Sequence, residues 1–120
     1  MYTFIETPLF TESAAFLSDD ELRMAQSAIG ANVRAGASIA QTHGARKLRV
    51  RVRGRGKSGG ARIIYIDNTE RCAQVWLLLA CDKTVADDLS AAGRKALAPL
   101  VRDVKTSPCV ANPVSPLPNQ

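Results

Sequence analysis

Lys57 and Arg62 flank the Gly59-Gly60 pair within the stretch RVRVRGRGKSGGARIIYI, which runs from Arg49 to Ile66. Arg46, Lys47, Arg49, Arg51, Arg53 and Arg55 stand just before them. Eight of the sixteen basic residues therefore fall within the seventeen positions from 46 to 62. No acidic residue occurs between Glu21 and Asp67, while the whole chain carries a net charge of +5. Guanidinium groups suit phosphate because they stay charged and their planar fork matches two oxygens at once. Glycines let backbone come close to a bulky anion. An uncompensated block of this kind attracts polyanions, nucleic acid first. The competing readings are a solvated face and a patch for anionic lipid. For Arg62 alone, the competing role is a structural partner for a carboxylate.

The same stretch contains GKS, the end of a nucleotide-binding phosphate loop. That loop needs a glycine at position 51, where Arg51 stands, and it must open a helix. Here GKS is followed by GGARIIYI, a strand-like run. Both requirements fail, so the phosphate is not that of a nucleoside triphosphate in such a loop.

The elements that would position these side chains can be read from pattern. Tyr2 to Glu6 alternates and reads as a strand. Thr7 caps a helix with Pro8 at its first position, and Phe10, Ala14 and Leu17 follow at helical spacing. Ser18 to Glu21 is a capping box for a second helix with Leu22, Ala25 and Ile29 as its stripe and Gly30 as its stop. Ala31 to Gly44 reads as a loop. Arg46 to Arg53 reads as a strand with Arg49, Arg51 and Arg53 on one face and Val50 and Val52 on the other. Gly54 to Gly60 reads as a loop and Ala61 to Asp67 as a strand, with a turn at Asp67-Asn68. Cys72 to Cys81 reads as a third sheet strand, apolar at both parities from Val75 and so covered on both faces, with Trp76 in the core. Ser90 caps a last helix with the stripe Leu97, Leu100, Val101 and Val104, kinked at Pro99. The order is β-α-α-β-β-β-α, an α+β fold with a small, mainly antiparallel sheet. Positions 1–105 form one domain and 106–120 a Pro-rich tail, disordered or extended.

Three cysteines, Cys72, Cys81 and Cys109, contain no CxxC. The odd count points to a reducing cytoplasm with neither a disulfide framework nor a zinc site, and makes Cys109 a bystander thiol. His43 is the single histidine, and no ligand spacing surrounds it, so no metal or other cofactor is expected. The longest apolar run, Val75 to Cys81, is too short to span a membrane.

The segments RKLRV, GRGKSGGARIIYI and QVWLLLACDKTVADDLS, together with FIETPLF and LSDDE, carry a resemblance. Over nearly all of positions 1 to 105 the chain resembles the HigB-like branch of the RelE/ParE superfamily, the toxins of type II toxin–antitoxin pairs. The resemblance implies a twisted antiparallel sheet with two N-terminal helices on one side. It implies a ribosome-dependent mRNA endonuclease that inhibits translation in the cytoplasm, acting on mRNA in the ribosomal A site and touching rRNA. It also implies a cognate antitoxin with a helix-turn-helix DNA-binding domain. Lys57, Arg62 and Lys83 match the catalytic cleft. Arg46, Lys47, Arg49, Arg51, Arg53 and Arg55 supply the RNA- and ribosome-binding surface, with Lys47 and Arg49 matching strand residues that point toward RNA. His43 and Cys81 are auxiliary candidates. Cys81 stands where the family has the tyrosine of a YxK pattern, and Val85 where it often has glutamate. Two alternatives remain open: a non-enzymatic gyrase inhibitor of the ParE type, and a weakened relative that only binds RNA.

Overall fold

The computed structural model describes residues 2–52, 60–82 and 91–110. Arg53, Arg55, Lys57, Lys83, Val85 and the Ser90 cap lie outside the described residues. The chain is an α+β fold in which one mixed five-stranded sheet carries helices on both faces.

Strand β1 (Thr3–Glu6) leads into α1 (Pro8–Ser13). Thr7 caps α1 as its sequence suggests: its Oγ1 accepts from the Phe10 N–H at 3.1 Å. The same hydroxyl lies 3.2 Å from the carbonyls of Leu77 and Leu78, to which it donates, so the cap also ties the helix to the sheet. After a 3-10 turn, Ala14–Phe16, comes α2 (Asp19–Ala31) with both halves of the capping box formed. The Glu21 N–H donates to Ser18 Oγ at 3.1 Å, and the Ser18 N–H donates to Glu21 Oε1 at 2.8 Å. Asp19, Asp20 and Glu21 in the first turn suit the positive end of the helix dipole. The helix runs through Gly30 and ends at Asn32 rather than stopping at the glycine. Glycine costs a helix about 1 kcal/mol relative to alanine, too little to break one that buries Ala25 and Ile29.

The expected loop from Ala31 to Gly44 contains a two-residue edge strand, β2 (Ala37–Ser38), paired antiparallel with β3 (Ala45–Val50). Strand β4 (Ala61–Asn68) follows, then a helical turn α3 (Thr69–Cys72) and β5 (Gln74–Asp82). The turn read at Asp67-Asn68 is thus a short helix, whose Thr69 N–H and Oγ1 both donate to Asp67 Oδ1. The last helix, α4, spans Ala91–Thr106 and contains Pro99. Val101 anchors it, whereas Leu100, expected on the buried stripe, is 49% exposed. Positions 97, 101 and 104 form the inward edge, and Leu100 turns off it.

Sheet order is β1-β5-β4-β3-β2. The run β2 to β5 is antiparallel, and β1 pairs parallel with β5, Thr3 opposite Gln74. Strand β5 is covered on both faces, with Val75, Leu77 and Ala80 in the cluster under α1 and α2 and Leu78 in the cluster with Val101 of α4, which explains its apolar character at both parities. Leu79 pairs with Ile64 but Leu77 with Tyr65, so Leu78 is the extra residue of a bulge. One core cluster packs α1 and α2 against Leu48, Val50, Ile63, Tyr65 and Leu77. The other packs Val101 of α4 against Ala45, Ile64 and Ile66.

The cysteine reading needs correction: Cys72 and Cys109 form a disulfide, with Cα atoms 5.7 Å apart. Helix α4 carries the chain back to the start of β5 and delivers Cys109 beside Cys72, a closure across 37 residues that spacing alone does not reveal. Cys109 is therefore no bystander. Residues 107–110, at the start of the expected tail, are held to the domain, and 111–120 lie outside the described residues. No described helix is long and apolar enough to cross a membrane.

Candidate nucleic-acid interface

Paired positions on neighbouring strands point their side chains to one face. Arg49 pairs with Arg62, and Arg62 with Cys81, so these three form one row across β3, β4 and β5. The adjacent row is Lys47, Ile64 and Leu79. Both lie on the α4 face, since Ile64 and Ile66 of that face pack against Val101. Helix α4 meets the sheet at Ile64 and Ile66, the nearer of them about 7 Å along the strand from Arg62 at about 3.4 Å per residue. The basic row lies beyond that contact.

Arg62 is 6% exposed, in the central strand one residue from its start. Its Nη1 donates to the Ala61 carbonyl at 3.2 Å. A guanidinium with so little water around it acts on a nearby anion through a low effective dielectric, which strengthens the attraction several-fold over bulk water. Arg49 and Arg51 are exposed on the same parity, and Leu48, Val50 and Val52 are buried on the other. The expected strand Arg46–Arg53 ends at Val50, so the alternation holds for Lys47, Leu48, Arg49 and Val50, and Arg51 lies past the strand end. Arg51 also lines a cleft of about 640 Å³ against the first half of α2, including Asp20, Glu21 and Met24. Arg49 is not among the residues that line this cleft.

The other candidates separate. Arg46 points to the opposite face, where its Nη1 donates to the Gly36 carbonyl at 2.7 Å. It braces the loop under β2 and is not part of the row. His43 is exposed, in a left-handed turn with φ 64°, just before β3. Five strand residues separate that turn from Arg49, roughly 17 Å, so His43 is not brought to Arg62. Cys81 is half-buried beside Arg62 and keeps its thiol. Lys57 and Lys83 lie outside the described residues.

Tyr65 is a positioning residue that the sequence does not single out. It is fully buried; its hydroxyl donates to the Val33 carbonyl at 2.7 Å and accepts from the Gly36 N–H at 2.9 Å. Burial pushes its phenol above the usual 10.0, against the opposing pull of the Gly36 N–H and the Arg46 charge. Tyr65 and Arg46 together clamp Gly36, and so set the edge strand beside Lys47. A glycine inside a polar loop was the one available signal. No protein-family model matches the chain.

Proposed function

We propose that this protein binds RNA on the α4 face of its sheet and cleaves it by phosphoryl transfer at a cationic site. More particularly, we read it as the toxin of a type II toxin–antitoxin pair, a RelE-like, HigB-like mRNA endonuclease acting in the cytoplasm on mRNA in the ribosomal A site. Its partners on this reading are ribosomal RNA and a helix-turn-helix antitoxin. The observation that carries the proposal is the cross-strand row of Arg49, Arg62 and Cys81 with Lys47 beside it. A poison of DNA gyrase has no need of such a row. The sheet order and the two N-terminal helices on one face support the fold part of the reading.

The chemistry follows from the residue types. A ribose 2'-hydroxyl attacks the adjacent phosphorus; the new O2'–P bond forms as the P–O5' bond breaks. The products are a 2',3'-cyclic phosphate and a 5'-hydroxyl. Negative charge gathers on the phosphoryl oxygens in between, and Arg62 stabilises it. Lys57 and Lys83, which the family resemblance matches to the catalytic cleft, are assigned the proton transfers. Cys81 opposite Arg62, in place of the tyrosine of the YxK pattern, favours one competing reading, a relative that binds RNA without cutting it.

Induction in growing bacteria with mapping of RNA 5' ends separates these. New ends within translated codons support the endonuclease. Intact mRNA with DNA damage points to gyrase, and intact mRNA with unimpaired growth points to a binding-only protein.

A further inference from the structure

The end of α4 and the chain just after it are tied to α3 and to the first residue of β5 at three points. Cys109 is bonded to Cys72. Arg71 Nη2 donates to the Val104 carbonyl at 3.2 Å and also to that of Ser107. Gln74 Nε2 donates to the Val110 carbonyl at 3.3 Å. Beneath this strap is a cavity of about 220 Å³, walled by Asn68, Gln74 and Trp76 on the sheet side and by Ser107, Pro108 and Val110 on the strap side. The Trp76 indole Nε1 is buried and has no hydrogen-bond partner among the described residues.

We propose that Cys72–Cys109 is a thiol–disulfide exchange site, and that its reduction lifts the strap and opens the Trp76 cavity. Cys109 is exposed and Cys72 half-buried, so Cys109 is the half-cystine on the solvent side. Exposed disulfides are the exchangeable kind. A thiolate attacks Cys109 Sγ; a mixed disulfide forms as the Cys72–Cys109 bond breaks and Cys72 leaves as thiolate. A second thiol then displaces Cys109. The balance is two small thiols oxidised to one disulfide and one protein disulfide reduced to two thiols. What then remains on the strap is the Arg71 pair, which is exposed, and one half-buried bond from Gln74. Such hydrogen bonds are individually weak beside a covalent closure. Cys81 lies nine residues from Cys72, mostly along β5, roughly 30 Å at strand spacing, and takes no part. The inference stands apart from the RNA reading, because its readout involves no nucleic acid.

Trp76 is the single tryptophan, so its fluorescence reports on the cavity directly. The full chain is equilibrated in glutathione redox buffers, and thiols are counted alongside Trp76 emission, acrylamide quenching and far-UV dichroism. The expected result is a rise from one thiol to three, with a red shift and a several-fold rise in quenching at the same midpoint and unchanged dichroism. Cys109→Ser should give the reduced-state spectrum in every buffer. Three thiols at every poise would overturn the exchange site. Full reduction with unchanged Trp76 emission, or with loss of secondary structure, would overturn the strap.

Discussion

Replacing Arg49 by alanine tests the basic face through the salt dependence of binding. A single-stranded RNA loses counterions when cations neutralise its phosphates, and the slope of log K against log salt is about −0.7 per phosphate contacted. Arg49 is exposed in the row with Arg62. Arg49→Ala should therefore lower the slope by about 0.7 and weaken binding roughly fourfold at 0.15 M salt. Adding Arg51→Ala brings the loss toward an upper bound of about fifteenfold, two whole contacts. Arg46→Ala is the control, because Arg46 points to the other face and grips the Gly36 carbonyl. It should cost stability and leave the slope unchanged. Fluorescence anisotropy of a labelled RNA across a salt series reads all four proteins. An Arg46 slope change equal to that of Arg49 would refute the assignment of faces, and so would an unaltered slope in the double variant.

Two predictions concern the clamp beneath β2. A methyl group at Gly36 would sit 2.9 Å from Tyr65 Cε1 and 3.0 Å from the Lys47 carbonyl carbon and oxygen. Gly36→Ala should cost about 2–4 kcal/mol, from overpacking and a disturbed Tyr65 hydrogen bond, which thermal denaturation would show as a fall of roughly 8–15 °C. Tyr65 has a folded pKa raised above 10.0, chiefly by burial, so its contribution is whole below that pH and is lost as pH rises through the folded value. Denaturant midpoints should decline above pH 10.0, and Tyr65→Phe should flatten that part of the decline while lowering stability at neutral pH.

The elements legible in the sequence were those with a local cause. The caps at Thr7 and Ser18 and the apolar β5 run each depend on neighbours in the chain, and each formed, while the RVRVR strand formed as far as Val50. What was not legible depended on distant partners. The Ala31–Gly44 segment looks like loop because only Tyr65 and Arg46, from other strands, fasten it. The disulfide hides behind an odd cysteine count because Cys81 belongs to a different end of β5. Within the candidate site, strand parity places Lys47 and Arg49 without help. It is cross-strand register that adds Arg62 and Cys81 to the row, and that removes Arg46 to the other face.

The central claim is that Arg62 stabilises charge on a reacting mRNA phosphate. Its direct test is primer extension on ribosomes programmed with a defined mRNA, using the wild-type protein, Arg62→Ala and Arg62→Lys. Thermal melts are run alongside, because Arg62 is buried. The wild type should cut within the A-site codon and leave a 2',3'-cyclic phosphate. Arg62→Ala, where still folded, should slow cleavage by about a hundredfold or more, as loss of one transition-state charge partner does, with the lysine variant between. Cleavage by folded Arg62→Ala at the wild-type rate, or no cleavage by the wild type, would contradict the account.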